Sequence, residues 1–237
     1  MRVVTPFKPF KPESEPHLEL GKFNWRGAID MHRECVHRSC GVESYVLTDA
    51  RSKVARPVLR YPTQQTRLML WILEVSLAYL ASDDFDQDTV FISPDVLCFA
   101  DLWRWFKEGS RFDIGVIVRT GDRFTERPLL NSVQLWPVRS KEKLIAFFTE
   151  AYRIAQTLPE EEIVWGADTT PLVRLLQPVV VGSVRRGALR VRMIDGYKYL
   201  RSSGYWLRHG GKPIGILIDF KYKAKLHMRK FFKKVVG

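Results

Sequence analysis

The sequence predicts an α/β fold, in which a single domain is built on a mixed central sheet with flanking helices. Strand-like and helix-like segments alternate along the 237 residues, and no change in composition divides them. The run DTVFIS (88–93) is apolar without polar alternation, which is typical of a strand covered on both faces. These observations favour one domain over residues 1–237.

The first elements follow from short patterns. VVTPF (3–7) is a β-branched run stopped by proline, which predicts a first strand that leads into a proline-rich connection. Residues 25–40 have a weak apolar face that predicts a helix, and YVLTD (45–49) predicts a strand ending in a carboxylate. From 66 to 80 apolar residues recur at helical spacing, which predicts a strongly amphipathic helix.

The second half of the chain continues the alternation. FDIGVIVR (112–119) and LLNSVQLWP (129–137) predict strands, and residues 141–157 predict a helix whose apolar side chains face inward. The same criteria predict helices over 101–107 and 170–176, strands over 178–184, 188–195 and 214–220, and a basic C-terminal helix over 221–237.

The net charge of +12 is concentrated in the C-terminal quarter of the chain. Residues 185–237 hold fifteen Lys and Arg against two acids, which leaves 23 basic and 24 acidic residues in 1–184. A concentrated basic region predicts an anionic partner, such as a nucleotide diphosphate, a nucleic acid or an anionic membrane. A basic tail that is merely solvated is the alternative.

The cysteines and the apolar runs indicate where in the cell the protein is expected. Cys35, Cys40 and Cys98 are too few for a disulfide framework or a four-ligand zinc site, so reduced thiols and a cytoplasmic location are expected. No apolar run approaches the roughly 18 residues that span a bilayer. The start MRVVTPFKPF lacks the pattern of a signal peptide.

The segment VFISPDVL (90–97) is the first candidate for a ligand site. A predicted buried strand runs into Ser93, Pro94 and Asp95, and ligands of α/β sheets bind at the carboxyl ends of strands. A carboxylate with a hydroxyl two residues earlier suits a hard divalent cation, which prefers oxygen ligands. A turn aspartate that caps a following helix is the structural alternative, and spacing alone does not decide between the two.

Five segments in consistent order resemble motifs of the GT-A type nucleotide-diphospho-sugar transferases. VFISPDVL resembles their strand with an Asp-x-Asp motif, and ADLWRWFKEGSRFDIGVIVR (100–119) resembles the segment that follows it. LLNSVQLWPVRS (129–140) is similar to their Asn-containing strand, VWGADTTPLVRLL (164–176) to their Trp-Gly-x-Asp segment, and ILIDFKYKAK (216–225) to their closing strand. The resemblance implies a Rossmann-type GT-A domain, with a mainly parallel sheet, that binds a nucleoside-diphosphate sugar.

The resemblance also implies roles for single residues. Asp168 and Asn131 are assigned to catalysis beside the reacting sugar. Metal binding is assigned to Asp95, which matches the second Asp of the motif, and to Asp219, which stands where the family has a His. The other implied contacts to the nucleotide sugar are Thr5, Asp49, Ser93, Ser132, Thr169, Lys221 and Lys225.

Two more donor contacts are predicted from position. Arg67 opens the helix 66–80, where it would bind a phosphate or cap a solvated face. Trp165 precedes Asp168 by three residues and would stack on a sugar or pack in the core.

The chain departs from the family pattern at several positions. Ser93 replaces the first Asp of the motif, while Asp219 replaces the His, so two carboxylates remain. Such a set suits Mn²⁺ or Mg²⁺. Thr169 replaces a Gln, and Tyr222 replaces a Gly, where its side chain would crowd a phosphate.

These features predict a metal-assisted glycosyltransferase of the hexosyltransferase type. It would move a sugar from a nucleoside-diphosphate sugar to a hydroxyl acceptor, which is a glycan, a protein or a modified DNA base. The alternative is a non-catalytic nucleic-acid-binding or scaffold protein on a degraded transferase fold, with residues 185–237 as the contact. A nucleotidyltransferase is disfavoured, because FKPFKPESE after the first strand has no glycine.

Overall fold

The computed structural model of the protein describes residues 1–9, 25–94, 96–98, 102, 106, 111–118, 128–163, 167–196, 200–202 and 217–219. Within these ranges two sheets are flanked by four α-helices. The helices are α1 (Trp25–Cys40), α2 (Leu68–Ala81), α3 (Lys141–Gln156) and α4 (Thr170–Leu176).

The larger sheet has eight strands. They are β1 (Arg2–Pro6), β2 (Ser44–Asp49), β3 (Val58–Tyr61), β4 (Thr89–Ile92), β6 (Ile114–Val118), β7 (Leu129–Trp136), β8 (Gly182–Arg186) and β9 (Leu189–Asp195). Their order is β3-β2-β1-β4-β7-β6-β9-β8. Six strands run parallel, while β7 and β8 run in the opposite direction. The predicted α/β fold with a mixed, mainly parallel sheet is therefore confirmed.

A smaller sheet stands beside the end of β4. It consists of β5 (Val96–Cys98), β10 (Leu200–Ser202) and β11 (Leu217–Asp219), in the order β10-β11-β5. Strand β5 follows β4 after only three residues, and β11 pairs with it in antiparallel fashion. The element after Ser93 and Pro94 is thus a strand, so a turn that caps a following helix is not what the structure shows.

The core lies on both faces of the large sheet. Trp71, Tyr79, Phe91, Trp136 and Phe148 pack together where α2 and α3 cover one face. A second apolar cluster fills the opposite face, toward α1 and β5. Because β1, β4 and β6 are covered on both sides, their sequences show no polar alternation.

Helix α2 differs from its prediction. Its buried residues lie on nearly all sides rather than along one stripe: Leu68, Met69, Leu70, Trp71, Leu73, Val75, Ser76, Tyr79 and Leu80. The helix packs against both β2 and α3, so it is a buried helix and the amphipathic interpretation was wrong. A helix that is apolar all round is covered all round.

The other predicted elements are found with shifts of a few residues, with these exceptions. Strands β3, β5 and β10 were missed, and each has only three or four residues, in which little periodicity can emerge. Strand β4 is as short as β3 but was predicted, because its run is apolar without alternation. The strand predicted at 178–184 lies at 182–186 instead. The helices predicted over 101–107 and 221–237 fall outside the described residues, apart from Leu102 and Phe106. In the described part of the chain, no helix has both the length and the apolarity to cross a bilayer.

Candidate functional site

The candidate site lies at one edge of the large sheet, where the six parallel strands end and β7 begins. Thr5 is the penultimate residue of β1, and Asp49 ends β2. Ser93 follows β4 directly, and its N–H donates to the carbonyl oxygen of Ser132 over 2.8 Å. Asn131 precedes Ser132 in β7. Residues predicted from four separate segments therefore meet at this carboxyl edge, which is where α/β sheets bind ligands.

A bulge in β7 lies within the site. Strand β6 pairs Val116 with Gln134 and then Ile117 with Leu130, so residues 131–133 have no counterpart on β6. In a regular strand, residues three apart point to opposite faces. The bulge removes this alternation, and as a result Asn131 and Gln134 share a face and form a hydrogen bond. Bulges next to active sites commonly re-aim a side chain in this way.

Asp168 meets Asn131 at the bulge. It lies in the turn before α4, and its Oδ2 accepts a hydrogen bond from Asn131 Nδ2 over 2.5 Å. Both residues are 8% exposed. The turn itself is held by the first backbone hydrogen bond of α4, from the Val173 N–H to the Thr169 carbonyl.

Burial dominates the electrostatics of Asp168. Loss of water raises the pKa of this carboxyl to about 6, although hydrogen bonds from Asn131 and from Thr169 oppose the rise. A carboxyl with a raised pKa at the ligand-binding edge of a sheet is a candidate for chemistry. At neutral pH it is mostly ionised, but it carries its charge in surroundings of low polarity.

Two further residues extend this contact inward. Gln134 Nε2 donates to Asn131 Oδ1, and Gln134 Oε1 accepts from Trp136 Nε1 over 2.8 Å. We call Trp136, Gln134, Asn131 and Asp168 the amide relay. Sequence reasoning missed Gln134, because in regular alternation it would face away from Asn131. The bulge that brings the two together has no marker in the sequence.

Three hydroxyl oxygens near the edge are buried without a hydrogen-bond partner among the described residues. They belong to Thr5, Thr48 and Ser132. Thr5 stands opposite Val46, so Thr48 is its diagonal neighbour on the same face of the sheet. An unsatisfied buried hydroxyl costs roughly 1–3 kcal/mol, so their occurrence at one edge indicates a place where a polar ligand would bind.

The two predicted metal ligands are only partly covered by the structure. Asp95 lies outside the described residues, and of Asp219 the backbone is described. In the β5–β11 ladder Asp219 stands opposite Val96, the residue that follows Asp95 in sequence. Among the described side chains, no cluster of three or more potential metal ligands is present.

Several solved glycosyltransferases have a similar architecture. One is a glycosyltransferase involved in the glycosylation of the major capsid of PBCV-1, with a TM-score of 0.58 and 8% identity over 98% of both chains. Another is the galactosyltransferase LgtC, with a TM-score of 0.52 and 10% identity over 100% of this chain and 97% of that one. The chain has the GT-A fold.

A third similar structure is the glycosyltransferase GlyE of Streptococcus pneumoniae TIGR4. It has a TM-score of 0.58 and 11% identity, and the match covers 98% of this chain but 59% of that one. No family model and no curated protein matches the sequence. The GT-A fold of this chain therefore rests on its three-dimensional arrangement.

Two predicted donor contacts of the GT-A domain are engaged within the protein. Both carboxylate oxygens of Asp49 accept hydrogen bonds in the following turn, from Arg51 and Ser52. These bonds lower the pKa of Asp49 although partial burial opposes them. The guanidinium of Arg67 pairs with Glu160 and donates to the carbonyl of Ile163 over 3.4 Å.

The pairing of Arg67 with Glu160 argues against a solvated cap, and phosphate binding by Arg67 remains a prediction. With 14% of its side chain exposed, it is not a solvated cap, and its guanidinium lies against the loop that leads toward Asp168. Trp165, Lys221 and Lys225 lie outside the described residues, so their predicted roles remain predictions.

Buried contacts from α1 hold the small sheet in the GT-A domain. The His32 ring bonds to the carbonyl of Val96 over 2.8 Å and to Ser44 Oγ over 3.0 Å. Cys35 Sγ and Ser39 Oγ both donate to the carbonyl of Cys98. These bonds fix β5, and through β5 the segment that follows Ser93, relative to β2.

Proposed function

We propose that this protein is a glycosyltransferase that moves a sugar from a nucleoside-diphosphate sugar to a hydroxyl acceptor. The observation that carries the proposal is the buried Asn131–Asp168 pair at the carboxyl edge of a GT-A sheet. The solved structures of similar architecture supply independent support at the level of the fold.

Asp168 has the properties needed beside a reacting sugar. When the bond from sugar to diphosphate breaks, positive charge develops at the anomeric carbon. A carboxylate in surroundings of low polarity attracts that charge more strongly than one in water. Asn131, held by Gln134, keeps the carboxylate in place, so little reorganisation is needed during the reaction. We therefore assign charge stabilisation at the anomeric carbon to Asp168.

The donor would lie along the edge from β1 to β7. Thr5, Thr48 and Ser132 offer buried hydroxyls to the nucleotide and the sugar, and Thr48 adds to the residues predicted from sequence. Ser93 lies beside Ser132 through its backbone hydrogen bond. We retain Trp165, Thr169, Lys221 and Lys225 as donor contacts of the same proposal.

A Mn²⁺ or Mg²⁺ ion fits the donor chemistry of this edge. Asp95 and Asp219 would hold it, because two carboxylates suit a hard cation. Asp219 stands in β11 opposite Val96, which is the neighbour of Asp95 in sequence. When bound, the ion would neutralise negative charge on the leaving diphosphate.

Donor hydrolysis tests the proposal. The purified protein is incubated with a panel of nucleoside-diphosphate sugars and Mn²⁺, and release of nucleoside diphosphate is measured. We expect turnover of at least one donor and a loss of roughly 100-fold or more in Asp168→Asn, since its charge acts in the transition state. The matched control is Asp83→Asn at an exposed position, which should keep full activity. Equal rates in the two variants would remove Asp168 from the mechanism.

The metal assignment has its own test. Chelation should abolish turnover, and Asp95→Ala and Asp219→Ala should each raise the Mn²⁺ concentration needed for half-maximal activity. If turnover persists in excess chelator, the transferase proposal stands but the metal part fails.

A second candidate function is nucleic-acid binding through residues 185–237. One observation favours it: in the β8–β9 hairpin Arg185 stands opposite Arg190, and Arg192 follows on the same face. A phosphate backbone would bind such a row, with affinity that falls steeply with salt. Fluorescence anisotropy with labelled DNA at 50 and 200 mM salt (roughly the range in which such losses are large) tests it. Binding unchanged by Arg185→Ala with Arg192→Ala would exclude this row.

A further inference from the structure

The amide relay has a fixed direction. The indole Nε1 of Trp136 can only donate a hydrogen bond, and an ionised carboxylate can only accept one. Gln134 must therefore present Oε1 to Trp136, which leaves its Nε2 to donate to Asn131 Oδ1. Asn131 in turn presents Nδ2 to Asp168. Each side-chain amide has one orientation that satisfies both neighbours.

Burial makes the alternative orientation costly. Trp136 is 0% exposed and Gln134 is 2% exposed, so water cannot readily replace a lost partner. If the amide of Asn131 turned over, its oxygen would face the carboxylate of Asp168, and its NH₂ would face the NH₂ of Gln134. Leaving a buried donor or acceptor unsatisfied carries the full desolvation penalty.

The relay depends on features of this chain. Gln134 and Trp136 are two residues apart in β7 and share a face in regular alternation, whereas Asn131 joins them because of the bulge at 131–133. Trp136 is anchored by ring contacts with Phe91 at 5.0 Å and Phe148 at 5.3 Å. The fixed end of the relay thus lies in the rigid core, and its other end lies at the edge where the sugar would bind.

We propose that Gln134 is a positioning residue of the transferase site, which orients the Asn131 amide so that its N–H holds the carboxylate of Asp168 toward the sugar. This inference rests on the proposed function, and it adds a residue that acts only through Asn131. The hydrogen bond from Asn131 is one of those that favour the ionised form of Asp168. Loss of the orientation should therefore make the carboxyl harder to ionise.

Two variants separate orientation from packing. Gln134→Glu keeps the shape and can still accept from Trp136, but once ionised it cannot donate to Asn131. Its negative charge would also raise the pKa of Asp168 by repulsion, so the uncharged variant at this position decides between the two causes. Gln134→Met keeps the approximate volume and removes both hydrogen bonds. Gln87→Met is the matched control, because Gln87 is a half-buried glutamine outside the relay.

The first readout is the pH profile of kcat/KM for donor turnover. We expect the acid limb of the profile, in which activity falls as pH is lowered, to move up by about one pH unit in Gln134→Met and Gln134→Glu. Activity would then fall roughly five-fold at pH 6 and little at pH 8.5. The control should retain the parent profile. A uniform loss at every pH, or an unchanged profile in folded variants, would overturn the positioning role, since a structural defect lowers activity without moving the limb.

The second readout does not need activity. In protein labelled with ¹³C at the aspartate carboxyl carbon, the Asp168 signal is identified by its absence in Asp168→Asn and titrated by NMR. Its midpoint should rise in both Gln134 variants. A midpoint within about 0.2 pH units of that of the parent protein would overturn the inference. If the parent turns over no donor, the proposed function fails while this titration still tests the relay. If the parent is active and the midpoint stays fixed, only the positioning role fails.

Discussion

Asn131 donates its Nδ2–H to Asp168 Oδ2 over 2.5 Å, although 37 residues separate the two in sequence. The contact joins a bulged strand to the turn before α4, and both partners are buried. The burial makes the pKa of Asp168 sensitive to its surroundings. Stability and activity should therefore both respond to pH through this carboxyl.

The stability of the protein should rise when the charge of Asp168 is removed. Its folded pKa of about 6 lies above its ordinary value of 3.8, so the ionised form costs free energy, and the cost grows as pH rises from about 4 through 6. Asp168→Asn should increase the free energy of unfolding at pH 8 by up to about 3 kcal/mol, from the equivalence of 1.36 kcal/mol per pKa unit. Urea unfolding of the variant and the parent at pH 4 and pH 8 measures this difference in the free energy of unfolding.

The effect on unfolding should become small near pH 4, where the folded carboxyl is protonated and the unfolded one, with its ordinary pKa of 3.8, is about half protonated. Asp83→Asn serves as the control and should change stability by less than about 0.5 kcal/mol at either pH. A destabilised Asp168→Asn protein at pH 8 would contradict the expected cost of burial.

The activity of the parent enzyme should follow the ionisation of Asp168. If the carboxylate stabilises positive charge at the anomeric carbon, kcat/KM should rise with pH and level off above about 6, the value to which burial raises the pKa. Initial rates with the best donor between pH 5 and pH 8 test this. A flat profile across that range would argue against an essential ionised Asp168.

Asp113 directly precedes β6, at the end of the strand away from the candidate site, and it should contribute to the stability of the protein. Its carboxylate accepts hydrogen bonds from Arg190, Ser140 and Lys143. Although burial opposes them, these bonds hold the pKa of Asp113 well below its usual range. The contribution is present above pH 4 and is lost as pH falls through the depressed pKa.

Asp113→Asn should lower the free energy of unfolding at pH 7 by about 2 kcal/mol. This is less than a fully buried ion pair is worth, because the Arg190 and Lys143 side chains are 40% and 43% exposed and water screens them. Glu142→Gln, an exposed change beside Lys143, is the control. Equal stability of the two variants in urea unfolding would contradict the structural role.

The three thiols should differ in reactivity. Burial raises the pKa of Cys35 to about 12, and its Sγ donates to the carbonyl of Cys98 over 2.5 Å. Cys98 is also buried, whereas Cys40 at the end of α1 is partly exposed. Since the thiolate is the reacting form, iodoacetamide at pH 8 should modify Cys40 at least about ten times faster than Cys35.

Peptide mapping by mass spectrometry over a time course measures these rates. In 6 M guanidinium (about the concentration that unfolds most domains) the three cysteines should react at similar rates. Comparable labelling of Cys35 and Cys40 in the folded protein would show that the contact between α1 and β5 is not as the structure has it.

The sequence predicted much of the fold because long apolar patterns report burial directly. The strands at 89–92, 114–118 and 129–136 and the helices at 25–40 and 141–156 were found within a few residues. Patterns fail where an element is too short, as for β3 and β5, or where another element covers it. Helix α2 illustrates the second case, because only the packing of α3 shows why it is apolar on nearly all sides.

The candidate site was predictable residue by residue but not as an arrangement. Resemblance pointed to Asn131 and Asp168 separately, and the topology brings them together. The position of Arg67 at the start of a helix suggested a donor contact, but nothing near it in the sequence indicated that its guanidinium pairs with Glu160, a residue 93 positions away. Distant partners of this kind leave no local signal.

By itself, the sequence determined the α/β class, the mixed sheet and the carboxylates at its strand ends, because local patterning and strand composition encode burial. The resemblance added that the sheet is mainly parallel. The tertiary structure decided which of those residues meet. It decided that β7 bulges at 131–133, that Gln134 consequently faces Asn131, and that Asp168 is buried enough to shift its pKa. The reason is physical: hydrogen-bond partners and desolvation depend on through-space neighbours, and these exist only once the chain is folded.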